Sequence, residues 1–272
     1  MWIREFLEAD MADIICVIGN KGGTGKTTFS HMLCQGMGLV GQRSVCVLTD
    51  TDREPLDPTH RRYLTADARS SEALAKVVDK IRSLPAWLGV IDGGGNRTEM
   101  DRKLYALADL VLLPFRDSHE DIRTVTRDLE RFPHAYAVPM QWPTNVWQRE
   151  SAEKTVGEFL HQYHDRILDP ISVLSASKLL LQKQLPISLP TPLNNACRQV
   201  AHQVVDLLQI QLTNEQIAPT RRSAPATHAL YEPSAPSVSS ASVSPHLSQP
   251  LNRTASPRQP QPPHPVRFAA SA

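Results

Sequence analysis

Many features that would announce a secreted, membrane-bound or zinc-binding protein are missing from these 272 residues. The four cysteines, Cys16, Cys34, Cys46 and Cys197, are scattered, with no C-x-x-C spacing. That excludes a disulfide framework and a zinc site and fits a reducing, cytoplasmic setting. Cys16 and Cys46 stand inside apolar runs and read as small core residues. No run approaches the ~18 consecutive apolar residues of a membrane span, so no membrane partner is expected. The net charge is +1, so no global basic excess points to nucleic acid. Residues 1–10 mix apolar residues with Arg4, Glu5, Glu8 and Asp10 and lack a signal-peptide pattern. Met11 precedes the first strand-like run, so residues 1–11 read as a short N-terminal extension, with Met1 or Met11 as the start. No internal repeat is visible.

What is present falls into two parts. Residues 12–212 alternate strand-like and helix-like stretches, which predicts an α/β domain with a mostly parallel, doubly wound sheet and helices on both faces. Strands are expected near 13–19, 44–49, 87–92, 109–114, 135–140 and 171–175. Helices are expected near 26–40, 70–84, 99–107, 118–132, 147–164 and 194–211. Val45-Cys46-Val47-Leu48 and Leu110-Val111-Leu112-Leu113 are continuous apolar runs, suited to strands buried on both faces. Pro114, Pro133 and Pro139 read as punctuation at element ends. Residues 213–272 differ in character. They hold eleven of the 22 prolines, with five arginines against two acids. Their apolar residues are isolated and aperiodic, so this tail is expected to be disordered.

The most informative stretch is Lys21-Gly22-Gly23-Thr24-Gly25-Lys26-Thr27-Thr28. It follows the apolar run Ile14-Ile15-Cys16-Val17-Ile18 and precedes a helical pattern carrying Phe29, Met32, Leu33 and Met37. Strand, glycine-rich loop and helix in that order define a phosphate-binding loop. Gly22, Gly23 and Gly25 let backbone N–H groups point at phosphate oxygens, and the helix adds its positive end. Lys26 would reach the β- and γ-phosphates, and the Thr27 hydroxyl would ligate Mg²⁺. Thr24 and Thr28 complete the loop. Two further strands end in acids. Thr49-Asp50-Thr51-Asp52 closes the second, and Ile91-Asp92-Gly93-Gly94-Gly95 closes the third. Carboxylates at strand ends beside a phosphate loop suit magnesium or water chemistry. The three glycines after Asp92 would allow a flexible loop near the γ-phosphate.

The form KGGxGKT[ST], with Lys21 as a second lysine, resembles the deviant Walker A loop of the ParA/MinD group of P-loop ATPases. Asp50-Thr51-Asp52, Ile91-Asp92 and Asp109-Leu110-Val111-Leu112-Leu113-Pro114 follow in that family's order. The resemblance covers roughly residues 12–211. The 40-residue gap between Asp52 and Asp92 is short, as in the compact ParF-like partition ATPases. Arg53-Glu54-Pro55 departs from the Pro-Gln that usually follows the D-x-D element. The resemblance implies ATP and Mg²⁺ as ligands. It implies that Asp50 and Asp92 hold the metal's waters and that Asp52 orients the attacking water. It implies that Lys21 reaches across an ATP-bound homodimer to the partner's nucleotide. It implies slow ATP hydrolysis in plasmid or chromosome partition, with a small DNA-binding adaptor and nonspecific DNA as partners. A cytoplasmic protein associated with the nucleoid follows from that reading.

Candidate DNA contacts are Lys178, Lys183 and Arg198, with Arg123, Arg127 and Arg131 along one helix face. Asp121, Asp128 and Glu130 are interleaved with those three arginines, so a solvated, salt-bridged helix is an equal reading. Two other functions use the same scaffold. One is an accessory ATPase that positions a conjugation or polysaccharide-secretion complex. The other is a small-molecule ligase, which would need a second substrate pocket.

Overall fold

The computed structural model describes residues 12–50, 56–94 and 98–212. All of these fall in the first of two units into which the chain divides, 1–221 and 222–272. The expected extension 1–11 and tail 213–272 lie outside the described residues.

Among the described residues, seven strands form one parallel sheet. In chain order they are β1 (Asp13–Val17), β2 (Arg43–Leu48), β3 (Leu64–Asp67), β4 (Trp87–Asp92), β5 (Leu110–Phe115), β6 (Ala135–Trp142) and β7 (Ile171–Ser172). Their spatial order is β3-β2-β4-β1-β5-β6-β7, and every pairing is parallel. The helices are α1 (Lys26–Leu39), α2 (Ser71–Arg82), α3 (Thr98–Leu107), α4 (His119–Arg131), α5 (Val146–Leu160) and α6 (Thr191–Leu208). Strand order reverses around β1, between β4 and β5. The carboxyl ends of these strands are therefore where a ligand crevice belongs.

Side chains alternate across β1 as the period of a strand requires. Ile15 and Val17 join a core with Phe29, Leu33 and Met37 of α1 and Leu193, Val200 and Val204 of α6. Ile14, Cys16 and Ile18 join the opposite core, with Ile122 and Leu129 of α4 and Leu160 of α5. All four cysteines are free and buried. Helix α1 is buried along most of its length, held between the sheet and α6. Gly36 permits that contact, because a Cβ there would collide with the Cys197 carbonyl. The helix expected at 194–211 is thus a core-packing element, beginning at Thr191 and ending at Leu208.

Several expectations need correction. The edge strand β3 has no apolar run to announce it, since half of Leu64-Thr65-Ala66-Asp67 is exposed. Strand 171–175 shrinks to two residues. Helix 147–164 ends at Leu160, continuing as a 3-10 turn over His161–Arg166. A second 3-10 segment, Ser175–Leu181, went unread. Pro114 and Pro139 do not end strands; they lie inside β5 and β6. Each sits where a ladder on one side is missing. The β1–β5 pairing stops at Leu112, and the β6–β7 pairing starts at Met140. A missing N–H is tolerated at such places.

Candidate nucleotide site

The phosphate loop runs from the end of β1 into α1. Gly23 and Gly25 hold φ of 77° and 102°, a left-handed backbone that side chains other than glycine rarely adopt. Gly25 is also the N-cap of α1 and offers no side-chain acceptor. The first-turn amides therefore have no side-chain cap to satisfy them, as an anion-binding helix end requires. Nothing lies within 4 Å of where a Cβ on Gly22 or Gly23 would point.

A cavity of about 360 Å³ opens over this loop. Gly22, Gly23, Gly25, Lys26, Thr27 and Thr28 form its floor, and Asp50, Asp92, Gly93 and Gly94 form one wall. The cavity therefore brings together residues that the sequence reading drew from three separate strand ends. Asp50 and Asp92 come together because β2 and β4 are neighbours, with Leu48 registered against Asp92. The Thr49 hydroxyl donates to the Asp92 carbonyl at 2.7 Å and ties those strand ends together. Gly93 is required by close approach, since a Cβ there would press on the Val17 carbonyl and the Ile18 side chain at 2.9 Å. Asp52 lies outside the described residues.

Lys26 is 6% exposed. Its Nζ donates to the carbonyls of Gly19 and Lys21 at 3.0 and 2.6 Å. Burial lowers its pKa, and Asp101, Asp92 and Asp128 oppose that shift. Lys21 behaves differently. Its Nζ pairs with Asp121 at 2.5 Å and Glu120 at 2.8 Å, both on α4. Hydrogen bonds to Asp121 and Glu120 raise its pKa. Burial of Asp121 works against its charged form, but Lys21, Ser118 and the Arg116 amide outweigh it and hold its pKa below the usual range. Thr24 faces a small pocket with Asn20, Lys21 and Asp121 and does not line the main cavity.

Sequence reasoning missed several participants. Arg116, Gln141 and Leu181 complete the cavity lining. Arg116 follows β5, two residues past Pro114, a position the strand reading could have marked. Gln141 sits at a register shift between β6 and β7 with φ of 54°, which no sequence pattern shows. Asp128 accepts from Asn20 Nδ2 at 2.6 Å and from its amide at 3.2 Å, bracing the loop from α4. Asp101 of α3 is fully buried close to Lys26.

These contacts correct the reading of α4 as a salt-bridged surface helix. Asp121 and Asp128 are buried and turned toward the phosphate loop. Arg123, Arg127 and Arg131 remain on the exposed face with Glu130. Lys178 and Lys183 are exposed, and Arg198 is partly buried near Asn195. Among the described residues, no helix is long and apolar enough to cross a membrane.

With the site in view, comparison with solved structures places the fold. McdA from Cyanothece in complex with ATP superposes with a TM-score of 0.53 at 17% identity, covering 75% of this chain and 99% of that one. The septum site-determining protein MinD from Pyrococcus horikoshii, complexed with Mg-ADP, gives 0.54 at 15% identity over 74% and 98% of the two chains. A plasmid partition protein from Borrelia burgdorferi bound to AMPPNP gives 0.51 at 13% identity over 74% and 100%. This chain therefore has the α/β fold of the MinD/ParA-type P-loop ATPases. No family model matches the chain, and no curated protein matches it.

Proposed function

We propose that this protein is a Mg²⁺-dependent ATPase that works as a nucleotide-switched dimer. The observation that carries this reading is the 360 Å³ cavity in which the glycine loop and Lys26 face Asp50 and Asp92 at the sheet's reversal point. The residues fit the ligands. The open space over Gly22 and Gly23 suits phosphate oxygens, and the uncapped start of α1 favours negative charge. Magnesium, held by the Thr27 hydroxyl and through water by Asp50 and Asp92, would supply neutralisation of phosphate charge.

The chain's own groups then divide the work. Lys26 leaves the carbonyls of Gly19 and Lys21 for the β- and γ-phosphates, where its charge stabilises the transferring phosphoryl group. Arg116 adds a second cation at the cavity wall, and Gln141 offers an amide for the base. Asp52 orients the attacking water, a role assigned by resemblance. Lys21 exchanges Glu120 and Asp121 for the partner's nucleotide across the dimer. Trp147, at the start of α5 and 80% exposed, follows the carboxyl end of β6 on the side where two nucleotide sites would meet. Such an indole suits an interface.

The role that fits is partition or positioning of a cargo, with a small DNA-binding adaptor and nonspecific DNA as partners. The exposed Arg123, Arg127 and Arg131 face is available for phosphate contact. Light scattering with AMPPNP and magnesium, together with ATPase assays with and without duplex DNA, tests this reading. Dimers are expected with the analogue and monomers with ADP. Lys26→Ala should lower hydrolysis by at least ~100-fold. A Lys26→Ala protein with unchanged turnover sinks the phosphate assignment; persistent monomers sink the dimer.

A further inference from the structure

A second cavity, of about 310 Å³, shares no lining residue with the nucleotide site. It is framed by Gln35 of α1, the turn His60–Arg62, residues 186–189 and Asn194 in the first turn of α6. Gln35 lies nine residues past Lys26, roughly 13 Å along the helix.

Two amide side chains at this cavity are unsatisfied. Gln35 is 3% exposed, and its Oε1 is buried without a hydrogen-bond partner among the described residues. Asn194 donates from Nδ2 to the Leu189 carbonyl at 3.3 Å, which leaves Oδ1 buried and unpartnered. Buried carbonyl groups are normally paired, so two at one cavity call for donors. A leucine at either position would avoid the penalty.

The charged wall is rigidly built. Arg61 donates to the carbonyls of Asp57, Leu180 and Gln182 and to the Tyr63 hydroxyl, at 2.6–2.9 Å. His60 is held at φ of 65°. Gly38 of α1 lets the Arg62 backbone press against the helix, since any Cβ there would strike the Arg62 carbonyl. With its backbone clamped, Arg62 presents an exposed guanidinium that has no hydrogen-bond or ion-pair partner among the described residues. The first turn of α6 has no side-chain cap and contributes its positive end.

We propose that this cavity binds a small molecule that joins an anionic group to N–H donors. Its carboxylate or phosphate faces Arg62 and His60, and its N–H groups meet the amide oxygens of Gln35 and Asn194 once these side chains, whose oxygens are covered here, rotate into the cavity. The volume lies at the lower end of ligand pockets, ~300–1,000 Å³. That suits an amino acid or a nucleoside monophosphate and excludes a large ligand. The proposal does not depend on the ATPase reading.

Calorimetry on the full chain tests it. Excess AMPPNP and magnesium are present throughout, so that the phosphate loop does not report. L-glutamate supplies the carboxylate source, AMP the phosphate source, and inorganic phosphate an anion without N–H groups. Saturable one-to-one binding of glutamate or AMP is expected, at least tenfold tighter than phosphate. Arg62→Gln and Gln35→Leu should each weaken it about tenfold, with AMPPNP affinity unchanged. Arg62 is on the surface, so its variant reports even if Gln35→Leu fails to fold. Absence of saturation by either probe up to about 10 mM overturns the proposal. So does phosphate binding as tightly as the probes, or binding that survives Arg62→Gln undiminished.

Discussion

Replacing Asp101 by asparagine is expected to stabilise the nucleotide-free protein at neutral pH and to have little effect near pH 4. Asp101 is fully buried on α3, and neither carboxylate oxygen completes a hydrogen bond among the described residues. Burial raises its pKa from 3.8 to about 6; Lys26 and the nearby Gly19 amide pull it down, and Asp128 pushes it up. The folded protein thus holds this proton more tightly than the unfolded chain. Between about pH 4 and pH 6 the folded state loses ground as pH rises, and above about pH 7 the loss is complete. The span from 3.8 to about 6 corresponds to about 3 kcal/mol at ~1.36 kcal/mol per pH unit. Relaxation of α3 and entry of water would reduce this to about 1–3 kcal/mol, a sizeable share of the ~5–15 kcal/mol that holds a domain together. Asparagine has the same shape and cannot ionise. Urea unfolding of both proteins from about pH 4.5 to pH 7.5 should show the variant's advantage growing by about 1–3 kcal/mol. An advantage that stays flat with pH, or shrinks toward pH 7.5, refutes this account of Asp101.

Gly36→Ala places a methyl group against the Cys197 carbonyl between α1 and α6, which should cost about 2–4 kcal/mol, read as a lowered melting temperature. Lys21→Ala should lower ATP hydrolysis at least ~10-fold while ATP affinity measured by calorimetry is retained; equal loss of both places Lys21 in simple binding. Arg116→Ala should weaken nucleotide binding by about 1–3 kcal/mol, because Arg116 is a cation that lines the cavity. Arg123, Arg127 and Arg131 changed together to glutamine should flatten the salt dependence of DNA binding, and an unchanged slope removes this helix face from DNA contact.

Much of the fold and site is legible in the chain because the signals are local. The apolar runs of β1, β2, β4 and β5 are long enough to declare strands buried on both faces. The phosphate loop is a contiguous stretch whose glycines are needed where the backbone turns left-handed, so Gly23 and Gly25 announce themselves. Asp50 and Asp92 are legible because each ends an apolar strand. β3 is not, because an edge strand half in water carries no apolar run. Pro114 and Pro139 misled because only the registers of β1 and β7 show that no ladder bond is lost there.

The sequence by itself determined the parallel α/β class, the phosphate loop and the acids at two strand ends, since each depends on neighbours a few residues away. Only the tertiary structure decided what the interleaved acids of α4 do. Asp121 and Asp128 have the spacing of a surface salt-bridge pattern. Packing of α4 against β5 turns them inward to Lys21 and Asn20, roughly a hundred residues earlier in the chain. Arg116, Gln141 and the cavity between α1 and α6 belong to the same category. Their chemistry arises from juxtaposition across the sheet and its covering helices, and no local pattern encodes which distant groups will share a wall.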